Sequence, residues 1–252
     1  MSKYFLGTES IIENQLKIDE IKTIDALKSM LLNQSQSIKS IEENLEKIES
    51  IVELIFLKLI QSEQGRIIYI GAGTSARIAV QDGVELFPTF GWPKSRVDFL
   101  VAGGLKALTQ SVEGAEDNEK QAKADVSNKK IHVNDIVIGV AASSNTPYTV
   151  SGIKKAKELG ALTIGIGNNF NGKLQKFAEH SITLNTGPEI VAGSTRLKAG
   201  TSQKICLNLI STMVMVKMGL VKNGLMVNLI PSNKKLKKRK AEIDKILSGI
   251  NR

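Results

Sequence analysis

The stretch Arg66-Ile-Ile-Tyr-Ile-Gly-Ala-Gly-Thr-Ser-Ala-Arg77 decides the fold. Its first half is a short apolar run that reads as a buried strand. Gly71-Ala72-Gly73 then breaks the run, and Thr74 and Ser75 open a helix. Glycine lets the backbone come close to a ligand, and the amides of a helix start suit an anion, most often a phosphate. A second unit of this kind follows: Ile136–Ala142 reads as a buried strand, and Ser143-Ser144-Asn145-Thr146 supplies hydroxyls before a helix that begins with Pro147. Two strand, hydroxyl-loop, helix units in one chain predict a phosphorylated ligand at the carboxyl edge of a parallel sheet. The plainer alternative, two tight turns with capping hydroxyls, stays open for each loop.

Neither loop is a nucleotide signature. The first, G-A-G-T-S-A, lacks the third glycine of G-x-G-x-x-G, and Arg96–Val101 runs on into Ala102-Gly103-Gly104 with no acidic residue at the strand's end to hold a ribose. No G-x-x-x-x-G-K-[ST] occurs either.

Composition narrows the class. A chain of 252 residues with 42% hydrophobic content accommodates one sizeable α/β domain plus helical additions. Its apolar runs are short and interrupted, so no transmembrane helix is expected, and the apolar part of Met1–Gly7 is too short for a signal peptide. A cytoplasmic protein with no membrane partner is the expectation. The single cysteine, Cys206, sits in an apolar helical pattern, and His132 and His180 have no ligand-like spacing, so no metal site is expected. The net charge of +9 owes much to Lys234, Lys235, Lys237, Lys238, Arg239 and Lys240. No aromatic residue interleaves them for base stacking, so the run reads as a solvated face and not as a nucleic-acid site.

Helical spacing of Ile21, Ile24, Leu27 and Leu31, and of Ile38, Ile41, Leu45, Ile48, Ile51 and Ile55, predicts two or three N-terminal helices. Strands follow at Ile67–Gly71, Val97–Ala102, Asp135–Ala141, Leu162–Ile166 and Ser181–Leu184, with helices between them from Thr74, around Asn118–Asp125 and over Pro147–Leu159. That alternation predicts an α/β protein with a parallel, doubly wound sheet. Gly200–Met218 reads as a buried helix. The expected organisation is an N-terminal helical extension over 1–56, a central domain over 57–221 and a short C-terminal helical tail over 222–252.

Four clusters could carry chemistry. Glu85 lies near the end of the helix that starts at the first loop, in a mostly apolar stretch; burial there would raise its pKa and fit it for proton transfer, while an exposed helix glutamate is the bland alternative. Glu113, Glu116 and Asp117 surround Gly114 and would equally serve as acids at a helix start. Gly193-Ser-Thr-Arg-Leu-Lys-Ala-Gly-Thr201 gathers Ser194, Thr195, Arg196 and Lys198 between glycines and reads as an anion site or a helix cap. Asn223–Asn228 is most simply a turn into a short buried segment.

Arg66–Gly91, Val112–Asp117, Gly139–Gly165 and Gly187–Lys204 together closely resemble the N-acetylmuramic acid 6-phosphate etherases, members of the sugar isomerase (SIS) domain superfamily. Thr8-Glu9 with Asn14, Asn223–Asn228 and Ser232–Leu236 extend the resemblance over nearly the whole chain. The block from Gly193 to Thr201 is shared mainly with this family and the related glucokinase regulatory protein. The resemblance implies a three-layer αβα sandwich forming homodimers, with sites near the subunit interface. It implies a lyase that splits the lactyl ether of N-acetylmuramic acid 6-phosphate into N-acetylglucosamine 6-phosphate and D-lactate, without a metal or organic cofactor. The family's two catalytic glutamates fall on Glu85, which protonates the departing lactate, and Glu116, which takes the C2 proton. Thr74, Ser75, Ser143 and Thr146 fall on hydroxyls that hold the sugar phosphate, and Gly73, Ser144, Asn145, Ser194, Thr195, Arg196 and Lys198 complete the expected substrate-binding set.

The chain departs from the family pattern at Ala76, where glycine is usual, at Val84 and Leu86 beside Glu85, and at Asn145, where arginine is usual. Two other readings are compatible with the loops: a non-catalytic sugar-phosphate sensor of the glucokinase-regulator type, and an aldose–ketose isomerase. Retention of Glu85 and Glu116 favours the etherase.

Overall fold

The computed structural model describes residues 7–12 and 17–250, with only the backbone of Ile250, so Asn14 lies outside the described residues. β1 (Ile67–Gly71) is buried along its whole length, and so are β3 (Ile136–Ala141) and β4 (Leu162–Gly167). Strands without a polar face belong inside a sheet covered on both sides. With β2 (Val97–Val101) and β5 (His180–Thr183) they form a five-stranded sheet in the order β2-β1-β3-β4-β5, every pair parallel.

Alternate residues of each strand feed two cores. Ile67, Tyr69, Ile138, Val140, Ile164 and Ile166 face one layer. That layer holds α2 (Gln36–Glu42), α3 (Leu45–Gln61), α4 (Gly73–Val84) and α9 (Lys198–Lys217). Ile68, Ile70 and Val137 face the other, made of α6 (Glu119–Asn128), α7 (Pro147–Glu158) and α8 (Lys173–Phe177). The result is the expected three-layer doubly wound sandwich. Ile48, Ile51, Val52, Ile55 and Leu59 of α3 share the core of Ile67 and Ile138. In contrast, α1 (Thr23–Gln34) contributes no buried residue.

The short α5 (Leu86–Phe90) follows α4 directly. Asn223 and Gly224, both with positive φ, close the two-residue turn of a small antiparallel hairpin of β6 (Val221–Lys222) and β7 (Leu225–Met226). In α10 (Lys234–Ile250) the basic run lies almost wholly in solvent, while Ile243 is buried. Among the described residues no helix is long and apolar enough to cross a membrane.

The amino edge of the sheet is fixed by Asp135, fully buried, whose carboxylate accepts from the backbone and guanidinium of Arg66 and from the His132 amide. The carboxyl edge is built differently. β1 and β3 are neighbours, but the chain leaves β1 for the α4 layer and leaves β3 for the α7 layer. Two successive loops therefore part on opposite faces, and a crevice opens between them.

Candidate active site

Gly71 of β1 pairs with Val140 of β3, so the two hydroxyl loops leave adjacent strands about 4.8 Å apart. At the first loop Gly73 is the first residue of α4 and adopts φ +53°, and nothing lies within 4 Å of where a Cβ would sit. The amides of Gly73, Thr74 and Ser75 find no acceptor among the described residues, and neither hydroxyl is engaged. Three N–H groups and two hydroxyls at the positive end of a helix thus stand open.

The second loop is similar. Ser143 Oγ and Thr146 Oγ1 lie 3.3 Å apart, and the Asn145 amide donates to Ser143 Oγ at 3.1 Å. Pro147 carries no N–H, and the amides of Tyr148 and Thr149 have no partner among the described residues. Asn145 is exposed and spans loops: its Oδ1 accepts from the Lys173 amide at 2.9 Å and its Nδ2 donates to the Ser143 carbonyl at 3.1 Å. Ser144 stands apart from its neighbours. It is fully buried with φ +60°, its Oγ donates to the Asn169 carbonyl at 3.0 Å and accepts from Gln175 Nε2 at 2.9 Å. Its hydroxyl is committed to holding the β3–α7 and β4–α8 loops together.

Over the ends of β1 and β2 lies a cleft of about 320 Å³, lined by Gly73, Arg77, Ala102, Val112, Glu113 and Glu116. Arg77 pins its outer wall by donating to the carbonyls of Ala107 (3.1 Å) and Gln110 (3.2 Å). Glu116 sits on a 3-10 turn, Ala115–Asp117, entered through Gly114 at φ +68° and packed against α7. Its exposed carboxylate accepts no hydrogen bond among the described residues. The structure therefore brings Gly73 and Glu116 to one cleft.

Glu85 is elsewhere. It follows the last residue of α4, about 18 Å along the helix axis from Gly73. It lines a separate cleft of about 210 Å³ with Asp82, Lys204, Asn208 and Thr212. The expected burial of Glu85 is not found in the single chain, where it is exposed. The apolar residues that suggested burial, Leu86 and Phe90, turn inward on α5 and leave Glu85 at the surface. The buried carboxylate here is Asp82, which accepts from Tyr69 Oη (2.8 Å), Asn208 Nδ2 (2.7 Å) and Ser211 Oγ (3.0 Å). Burial, and then the Asp82 charge, raises the Tyr69 hydroxyl well above its usual range. The same two causes push the Cys206 thiol up to about 12.

The block from Gly193 to Thr201 arrives beside the first loop: a Cβ added at Gly200 would lie 3.4 Å from Thr74 Cγ2. Ser194 and Thr195 are half-buried and Arg196 is exposed. The start of α9 is not open, because Glu189, 1% exposed, accepts from the amides of Lys198 (3.2 Å) and Ala199 (2.9 Å). Burial raises the Glu189 pKa against the pull of those two amides and of Lys198. Lys198 is itself buried, and burial lowers its pKa against the attraction of Glu189. Sequence reasoning missed Glu189, whose only cue is its place between Gly187-Pro188 and the helix start.

Comparison with known proteins agrees with this fold. Residues 47–157 match the glucokinase regulatory protein N-terminal SIS domain, and residues 112–217 match the SIS domain. A protein of Bacillus mycoides (strain KBAB4) named N-acetylmuramic acid 6-phosphate etherase is 43% identical over 238 residues, covering 94% of this chain and 80% of its own. One of the same name from Bacillus anthracis (strain A0248) is 43% identical over 246 residues, covering 98% and 83%. Among solved structures, a phosphoheptose isomerase from Francisella tularensis superposes with a TM-score of 0.54 at 14% identity, over 78% of this chain and 100% of that one, which is a likeness of fold.

Proposed function

The chain belongs to the N-acetylmuramic acid 6-phosphate etherase family, and we propose on that footing that it splits the lactyl ether of N-acetylmuramic acid 6-phosphate into N-acetylglucosamine 6-phosphate and D-lactate. The observation that carries this reading is that Gly73, where the unpaired amides of α4 begin, lines one cleft with the free carboxylate of Glu116. The phosphate sits at the starts of α4 and α7, taking the amides and the hydroxyls of Thr74, Ser75, Ser143 and Thr146.

With the phosphate anchored there and the sugar ring open, Glu116 takes the proton from C2. The electrons left on C2 expel the lactyl oxygen from C3, and that oxygen takes a proton from Glu85. Water, deprotonated by the Glu85 carboxylate, then adds at C3 of the unsaturated aldehyde, and C2 takes back the proton held by Glu116. One base and one acid account for every proton moved. Because Glu85 lies about 18 Å from Gly73 in the same chain, the acid comes from a second copy, whose Glu85 reaches the Glu116 cleft in a homodimer. The reaction belongs to the cytoplasm, where phosphorylated amino sugars are consumed.

Incubation with N-acetylmuramic acid 6-phosphate and enzymatic measurement of D-lactate tests the reading. The match of residues 47–157 to the glucokinase regulatory protein domain favours a second one, a phosphosugar-binding regulator. Tight binding of the phosphosugar with neither lactate release nor exchange of the C2 proton selects the regulator.

A further inference from the structure

The first four amides of α9 are all satisfied from within the chain. Lys198 and Ala199 donate to the two oxygens of Glu189, Gly200 donates to the Thr195 carbonyl (2.9 Å), and Thr201 donates to the Leu197 carbonyl (2.9 Å). At α4 the amides of Gly73, Thr74 and Ser75, and at α7 those of Tyr148 and Thr149, have no acceptor among the described residues. The longest helix among the described residues, 20 residues, is therefore closed to an external anion at the end where helices ordinarily attract one.

We propose that Glu189 is a positioning residue of the phosphosugar site: its carboxylate fills the anion position at the start of α9, locks the loop carrying Ser194, Thr195 and Arg196 against Thr74, and so leaves the phosphate to α4 and α7. This rests on the phosphosugar reading above. Without the carboxylate, two amides would be left open beside the buried Lys198 side chain, whose ammonium makes no hydrogen bond or ion pair among the described residues. Such a combination would compete for the phosphate or for the lactyl carboxylate. The same interaction fixes the loop geometrically. Thr195 bonds back to Gly200, and Gly200 abuts Thr74, so releasing Glu189 releases the contact between the loop and the phosphate cradle. The carbonyl side of Lys198 is held independently by Ser37 Oγ at 2.9 Å, which keeps α9 anchored to α2 when Glu189 is removed.

The test measures N-acetylglucosamine 6-phosphate affinity by calorimetry, which needs no turnover, alongside KM and kcat for lactate release. Glu189→Ala is expected to weaken affinity and raise KM about tenfold, the scale of one hydrogen bond to a charged group, with a smaller change in kcat. Propionate, a carboxylate that stands in for the deleted side chain, is expected to restore most of the lost affinity, and Glu189→Asp to retain part of it. Glu189→Gln preserves shape but turns an NH2 toward one amide, so it should bind as weakly as Glu189→Ala without responding to propionate; it also serves if Glu189→Ala does not fold. Unchanged affinity in either folded variant overturns the proposal, as does a loss in Glu189→Ala that propionate does not relieve. Unmodified protein that binds N-acetylglucosamine 6-phosphate without releasing lactate sinks the etherase reading alone and leaves this one standing.

Discussion

Thr8 and Asn169, 161 residues apart, exchange two hydrogen bonds of 2.9 Å: the Thr8 amide donates to Asn169 Oδ1, and Asn169 Nδ2 donates to Thr8 Oγ1. Asn169 Nδ2 also reaches the Ala142 carbonyl at 3.1 Å, and the Asn169 backbone holds Ser144. The N-terminal segment is thereby tied to the loop that leaves β3. Thr8 is fully buried. Thr8→Val keeps the volume and removes one bond, so it should lower stability by about 1 kcal/mol, read as a lower urea midpoint with an unchanged slope.

Serines of the two loops should separate by role. Ser75→Ala and Ser143→Ala should each weaken N-acetylglucosamine 6-phosphate binding by about 1–2 kcal/mol in calorimetry, with the urea midpoint nearly unmoved. Ser144→Ala should do the reverse, lowering stability by about 1–3 kcal/mol because Gln175 and Asn169 lose a buried partner. A binding loss confined to Ser144→Ala would remove the phosphate from these loops.

Glu116→Gln should cut lactate release by about 10²- to 10⁴-fold and stop exchange of the C2 proton with deuterated water. Glu113→Gln, in the same cleft, is the control and should leave exchange intact. The opposite pattern would move the base to Glu113.

Glu85→Gln should lose lactate release on the same scale but retain some C2 exchange, since deprotonation precedes departure of lactate. If each site takes Glu116 from one chain and Glu85 from its partner, subunit exchange between Glu85→Gln and Glu116→Gln proteins creates dimers with one intact site. The mixture should then regain about a quarter of the activity by random pairing of a C2 dimer. No recovery, with subunit exchange verified, would place both glutamates of a site in one chain.

Cys206 is fully buried and its thiol is pushed up to about 12 by burial and by Asp82. The thiolate is the reactive form, so a raised pKa means less of it at neutral pH. The folded protein should resist aromatic disulfide reagents at pH 8, and labelling should keep pace with unfolding in urea. Rapid labelling of native protein would contradict the packing around α9.

Much of the fold was legible because its signals are local. The unbroken apolar runs at Ile67–Ile70 and Ile136–Ala141 require a sheet covered on both faces, and the hydroxyl loops behind them require helix starts at a carboxyl edge. Asn223-Gly224 similarly announces a turn, since both residues tolerate positive φ. That Thr74, Ser75, Ser143 and Thr146 gather at this edge follows from these local rules. Which hydroxyls are open to a ligand does not: Ser144 and Ser143 are adjacent in sequence, yet only the approach of Asn169 and Gln175 commits the first to the fold. The tertiary structure alone set Glu189 on the start of α9 and Asp82 between Tyr69 and Asn208. It likewise set Glu85 and Glu116 on separate clefts. Each depends on where distant elements meet, and a contact between distant residues leaves no period in the sequence, whereas strands, turns and helix starts are fixed by the few residues that compose them.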